Sequence, residues 1–530
     1  MLDRRQLIKL GLYGGGAALL HLAGTRGNLG WALDSGSNLP PSPPSTPFAA
    51  PLPLPATKLS VKPETLPGVP LFNDGVPTEY FEITAREAPS QIFPGAGQSP
   101  TIIWGYDGLY PGPTIQARRG IRTVVRQHNA LPANTIVHRH GGHNQSASDG
   151  SALFSEQIPP AAFRDFIYDN DDDVGATNWY HDHDIDFTGH NVYMGLAAFY
   201  LLDDDVEDAL NLPGNDHDPA PPGEYPFEMA LVVQDRVFDA NNQLVYNPFA
   251  HDGFLGDKFL VNGAIQPRMR VANRKYRFHI LNGSNARFYQ LAMSNGMPFQ
   301  VIGSDGGLLQ QRVDVSSFRF GMAERLEFIL DFSKLTPGPN THVYLNNLMQ
   351  QTSGRGPDGV DARNPTPLMR FDVEFSVPDP SSSPVSLRPD LPGFDPKQAT
   401  QTINLEFQRS DGAWQINGRF FDPARIDVNV KLNSTVIWSL KNGGGGWYHP
   451  IHIHRNQFRI LDRNGQPPAP IEGGLKDTFV LAGGDQVRAI TKFTGAVNGT
   501  GTDALGPFVF HCHNLEHEDM RMMGIFNVVA

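Results

Sequence analysis

Apolar residues along this chain recur at every second position in short runs, and one plan built on such runs occurs three times. The segments are "YPGPTIQARRGIRTVVRQHN" (110–129), "VNGAIQPRMRVANRKYRFHILN" (261–282) and "INGRFFDPARIDVNVKLNSTVIWSLKN" (416–442). Each has a glycine turn, a short apolar strand, a basic or polar turn, an alternating strand and a closing asparagine. Alternation with period two places the apolar side chains on one face of a strand. Gly112, Gly263 and Gly418 lie about 150 residues apart, a domain's length rather than a solenoid's. The pattern predicts three related β domains, 75–205, 226–376 and 398–530. Polar, proline-rich joints separate them, "GNDHDPAPPGEYP" and "SVPDPSSSPVSLRPDLPG". Strands at short intervals with Gly/Pro turns predict Greek-key sandwiches or barrels, with helices few and short.

Composition supports that reading: 54 glycines and 45 prolines favour strands and turns over long helices. A net charge of −13 without a long basic run excludes nucleic acid as a partner. Residues 31–74 include "LPPSPPSTPFAAPLPLPA" (39–56), a proline-rich spacer in extended conformation. Residues 1–30 carry "LDRRQLIK" and then a modest apolar stretch, Leu10 to Ala23. This resembles a twin-arginine export signal and predicts a periplasmic or extracellular destination. Nothing later approaches the roughly 20 apolar residues that span a bilayer, so no stable membrane insertion is expected. The chain has one cysteine, Cys512, which cannot close an internal disulfide. A lone thiol in an exported protein needs a reason, and burial under a metal is one.

Four His-x-His pairs carry the candidate chemistry: His138/His140 in "TIVHRHGG", His181/His183 in "NWYHDHD", His452/His454 in "HPIHIHRNQF" and His511/His513 in "VFHCHN". They hold eight of the 18 histidines, two pairs in the first predicted domain and two in the third. Each follows residues of strand type, so both imidazoles of a pair point to one side. One pair is a weak sign of a metal site; four together are a strong one. Parity then separates two faces. Cys512 lies between His511 and His513 and points away from both. His449, three residues before His452, points away from His452 and His454. His517 and Met522 follow Cys512 in a loop able to turn back to it. The second face offers two imidazoles, a thiolate and a thioether, the ligand set of a blue copper electron-transfer site. Zinc also accepts Cys and His, but methionine is foreign to its structural sites. The first face offers eight imidazoles, which suit a cluster of copper ions. Cys512 is covalently continuous with two of them and joins the two sites.

At these residues the chain resembles three-domain multicopper oxidases of the laccase type, in particular bilirubin oxidases and bacterial spore-coat laccases. "GGGGWYHPIHIH", "GLKDT", "GSDGGLL" and "HCHNLEHED" carry the likeness, which covers about 75–530. The resemblance implies three cupredoxin-like Greek-key domains, with a trinuclear copper cluster between the first and third and a structural middle domain that helps shape the substrate side. It implies four coppers. His449, Cys512, His517 and Met522 would hold the type 1 ion, and His138 and His452 the type 2 ion. His140, His181, His183, His454, His511 and His513 would hold the type 3 pair. It further implies one-electron oxidation of a small aromatic donor through the edge of His517, with O2 reduced to water at the cluster. Glu518 in "HEDM" and Asp149 in "HNQSASDG" match acidic residues that supply protons there, and Trp447 matches a residue lining the type 1 pocket. A monomer is expected.

His128, His143, His190, His217, His251, His279 and His342 lack paired spacing and are read as surface or satisfied interior histidines. Two other functions remain on the same scaffold. One is oxidation of a metal ion, Cu(I) or Mn(II), against which the 12 methionines, with "MRMM" their only cluster, speak. The other is a copper-free structural relative, against which every filled ligand position speaks.

Overall fold

The computed structural model describes residues 39–95, 97–171, 174–215, 217–495 and 504–530; the twin-arginine segment 1–30 lies outside them. The three repeated segments are the places where the chain changes sheets. Each yields a short strand and then a longer one: Ile115–Arg118 and Arg122–Asn129, Arg268–Ala272 and Lys275–Asn282, Val428–Lys431 and Thr435–Asn442. The short strand pairs parallel with the last strand of its domain, Ala197–Asp203, Thr366–Phe375 or Met523–Val529. The longer strand pairs parallel with the first, Thr78–Ser90, Glu228–Phe238 or Ala399–Ser410. The polar turn between them is thus the corner of a Greek key, and three cupredoxin-like domains result. Each closes two sheets on its own apolar core, around Phe81, Tyr106 and Phe166 in the first, Phe278, Phe328 and Phe371 in the second, and Trp438, Phe458 and Phe526 in the third.

The closing asparagines do one job three times. The Oδ1 of Asn129, Asn282 and Asn442 accepts from the backbone N–H two residues on, at Leu131, Ser284 and Gly444. Their Nδ2 groups donate forward to the carbonyls of Ala133, Arg287 and Trp447. They also donate across to Ile158, Phe320 and Leu481. A buried side-chain amide so satisfied pins the loop that follows the strand. In the third domain that loop leads to His449. The glycines differ among the repeats. Gly263 and Gly418 take positive φ, +80° and +69°, as turn residues. Gly112 does not; it is needed because a Cβ there would lie 2.8 Å from Tyr106 Cβ.

The described part of the proline-rich segment runs extended and is laid along the body. Phe48 N and Leu52 N donate to Gln266 and Arg268 of the middle domain, and Lys58 N to Thr114 of the first. The helices are short, among them Thr188–Met194 and Leu515–Asp519. Among the described residues no helix is long and apolar enough to cross a membrane.

Candidate metal centre

Strand register brings the histidine pairs together. In the first domain Val137–His140 pairs with Ala176–Asp182, setting His138 directly opposite His181. In the third, His449–Ile453 pairs with Gly506–Cys512, setting His452 opposite His511 and Ile451 opposite Cys512. Because alternate residues share a face, His449, Ile451 and Cys512 look one way, and His452 and His511 look the other. The two imidazole faces meet where the first and third domains adjoin. There His140 stacks on His452 at 3.6 Å between ring centroids, and His138 on His454 at 3.9 Å.

Imidazole nitrogens converge there in three groups, His138, His140 and His452; His140, His181 and His513; and His183, His454 and His511, and a fourth group joins Asp149 to His138 and His454. In the group of His183, His454 and His511, His511 Nε2 lies 3.2 Å from His183 Nε2 and 3.1 Å from His454 Nε2. Metal–nitrogen bonds of about 2.0 Å set ligand nitrogens roughly 3.3 Å apart, so these three match a shared ion. On the other face Cys512 Sγ lies 3.5 Å from His449 Nδ1 and 3.5 Å from His517 Nδ1. His517 stands not in an open loop but on the one-turn helix Leu515–Asp519, whose cap Asn514 Oδ1 accepts from His517 N. Met522 is tied beside them: its N–H donates to His517 O, and its carbonyl accepts from Cys512 N. Its side chain packs in the core cluster that contains Cys512, whereas Met523 packs with Val509 and Ile525.

The donor chemistry fits copper. Six cluster imidazoles spend one ring N–H on an oxygen. His138 Nδ1 donates to Asp149 O, His181 Nδ1 to Asp182 O and His452 Nδ1 to Asp477 O. His454 Nδ1 donates to Asp149 Oδ2, His140 Nε2 to Asp477 Oδ1, and His511 Nδ1 reaches Glu518 Oε2 at 3.0 Å. The second nitrogens of His138, His140, His181 and His452 are buried without a partner, as are both nitrogens of His513. Buried nitrogens left this way cost stability unless a ligand takes them up, and held N–H groups opposite them are how metal-binding histidines are oriented. Burial holds the imidazoles of His138, His140, His181, His454 and His513 well below the ordinary histidine range, so they stay neutral. The same burial pushes the Cys512 thiol up. A thiolate therefore needs a cation at that spot. Imidazole with soft sulfur suits copper.

Both predicted acids are interior. Asp149 is buried and its carboxyl is raised by desolvation to about 7. Burial also raises Glu518, but the imidazoles of His511 and His183 beside it outweigh that and hold it well below the usual carboxylate range. None of the seven unpaired histidines belongs to a converging ligand group among the described residues. His517 itself is buried, 0 % exposed. Trp414, which no spacing marks, lies over its ring at 4.0 Å, and half-buried Trp447 meets Trp414 edge-on at 5.4 Å. The middle domain also braces the helix that bears His517. Its Tyr246, Phe254 N and Asn285 all donate to the buried Glu516 on the helix bearing His517. These contacts join positions more than 200 residues apart, so no local signal announces them.

Three cupredoxin-like domains with a thiolate site backed by a histidine cluster define a copper redox protein. Residues 90–207 and 393–530 each match the multicopper oxidase family. The chain is 36 % identical to the bilirubin oxidase of Albifimbria verrucaria, over 91 % of this chain and 81 % of that one. It is 33 % identical to the laccase of Bacillus subtilis, over 84 % and 93 %. A crystal structure of laccase from Pediococcus acidilactici superposes with a TM-score of 0.78 at 30 % identity, covering 93 % of this chain and 96 % of that one. The chain belongs to the multicopper oxidase family, oxidoreductases that use oxygen as acceptor.

Proposed function

We propose that the protein couples one-electron oxidation of small aromatic donors, namely phenols, aromatic amines or bilirubin-type tetrapyrroles, to four-electron reduction of O2 to water. The carrying observation is that one strand sends Cys512 toward His449 and His517 and sends His511 toward the histidine cluster. Four coppers, when bound, supply storage for the four electrons that O2 requires. His449, Cys512, His517 and Met522 would hold one, His138 and His452 another, and the remaining six cluster histidines a pair. The backbone between Cys512 and its two neighbours is the connection between the sites. Donor electrons enter through His517, over whose ring buried Trp414 packs, with half-buried Trp447 beside Trp414 at the rim. The export segment supports a periplasmic or extracellular location, and the protein acts as a monomer.

Copper analysis with visible and EPR spectra tests the reading: four ions per chain and an intense blue band are expected, with O2 consumed in the presence of a phenol. A chain that stays colourless after copper loading sinks it, and faster turnover of Cu(I) than of phenol moves the donor to a metal ion. Glu518 lies between His511 and His183 at 3.0 and 3.6 Å, which supports a part in carrying protons to the cluster. Glu518→Gln is expected to keep the blue absorption and slow O2 reduction by about a hundredfold or more. Unchanged turnover across pH in that variant rejects the role.

A further inference from the structure

Two aspartates hold the cluster in matching ways. Asp149 of the first domain takes His138 on its carbonyl and His454, from the third domain, on its carboxylate, at 2.6 and 2.7 Å. Asp477 of the third domain takes His452 on its carbonyl and His140, from the first domain, on its carboxylate, both at 3.0 Å. Each therefore grips one imidazole from either side of the cluster. The pair is alike in the histidines it holds and unlike in its other partners. Asp149 accepts from Asn144 Nδ2 at 3.3 Å. Asp477 accepts a two-pronged guanidinium, Arg325 Nη1 to Oδ1 at 2.8 Å and Nη2 to Oδ2 at 2.6 Å.

Arg325 belongs to the middle domain, on the strand Arg325–Asp331, and its side chain is fully buried. Its other three N–H bonds go to carbonyls: Nε to Thr177 O in the first domain at 2.9 Å, Nη1 to Ala323 O at 2.9 Å and Nη2 to Asp305 O at 3.0 Å. All five donors of one guanidinium are thus used, on all three domains. The surroundings are shaped to admit it. Gly141, next to His140, has φ +95°, and a Cβ there would lie 2.6 Å from Arg325 Nη2 and 3.2 Å from Asp477 Oδ2. The turn at Asp305 wedges against both other domains: Gly306 N donates to Leu475 O, and a Cβ on Gly307 would lie 2.0 Å from Gly175 O. Asp305 also pairs with Lys476, adjacent to Asp477, at 2.9 Å.

We propose that Arg325 is a positioning residue for the histidine cluster, setting through Asp477 the ring orientation of both His140 and His452. The proposal rests on the cluster being the copper site. A planar fork that spans one carboxylate and three carbonyls cannot be replaced by an ammonium on a flexible stem, although the charge is the same. Removing an outer partner of metal-bound histidines weakens metal affinity about 10–100-fold.

The test uses the full chain loaded with copper, as parent and as Arg325→Lys, Asp477→Asn and Arg277→Lys. Arg277 is the control: it too is buried, and it ties Glu207, in the segment after the first domain, to Glu228 and Glu327 of the middle one without touching Asp477 or Asp149. In Arg325→Lys the cluster copper, followed by its EPR signal and by chelator challenge, is expected to be held about 10–100-fold more weakly. The blue band of the Cys512 site is expected to persist. Asp477→Asn preserves shape and the carbonyl bond to His452, so it carries the test if the lysine variant does not fold, with loss in the same direction. Cluster copper held as tightly as in the parent by both variants, or lost equally in Arg277→Lys, overturns the proposal. A parent chain that takes up no copper overturns the oxidase reading instead.

Discussion

Cys512→Ser is expected to erase the blue absorption and to lower donor-driven O2 consumption by well over a hundredfold, while the histidine cluster keeps its copper. The loss exceeds the about 10–100-fold seen when only an outer partner of a metal ligand is removed, because the ligand itself is replaced. Serine nearly matches cysteine in size, so the strand Gly506–Cys512 still forms. Its hydroxyl, however, is a hard donor and stays protonated where a soft thiolate is required. His511 and His513 point away from residue 512, so their ligand groups are untouched. Burying an unpaired hydroxyl among Ile451, Phe510 and Met522 costs about 1–3 kcal/mol, which a protein of this size tolerates. Copper analysis, EPR and oxygen uptake on one preparation check all three statements. Full turnover in the serine variant contradicts a thiolate route.

Stripping copper is expected to destabilise the chain, and the stripped chain is expected to lose further stability toward acid. A ligand present at a thousand times its Kd adds on the order of 4 kcal/mol per site. For a domain of some 150 residues this is a melting shift of roughly 10 °C. The acid dependence follows from buried neutral imidazoles. Burial holds His449 down at about 3 and His183 at about 4 in the folded, metal-free chain. Unfolded, both titrate near 6.5. Their contribution is therefore complete above about pH 6.5. As pH falls from there toward the folded values, the unfolded chain takes up protons that the folded one refuses. Stability drops by about 1.4 kcal/mol per pH unit for each such histidine. Thermal melts from about pH 7.5 to about pH 5, with and without copper, check this. A metal-free melting temperature that stays level over that range rejects it.

Much of this protein was legible along the chain because strands alternate strictly. Period two made the two faces of "VFHCHN" and "HPIHIH" readable before any coordinate, and repetition of one sheet-changing corner gave three related β domains. Neither inference needs a distant contact. In "MRMM", by contrast, local pattern does not separate Met522 from Met523, and packing puts Met522 in the cluster with Cys512 and Met523 in another.

The sequence by itself determined which residues share a face and that sulfur stands opposite its neighbouring imidazoles, since those follow from local backbone geometry. Tertiary structure alone decided what meets each face: His140 on His452, Trp414 over a buried His517, and a guanidinium from the middle domain on Asp477. Asp477 lies 337 residues from His140 and 152 from Arg325, separations over which no periodicity carries information. Such contacts are selected by the shape and charge that remain after the three domains have folded and docked.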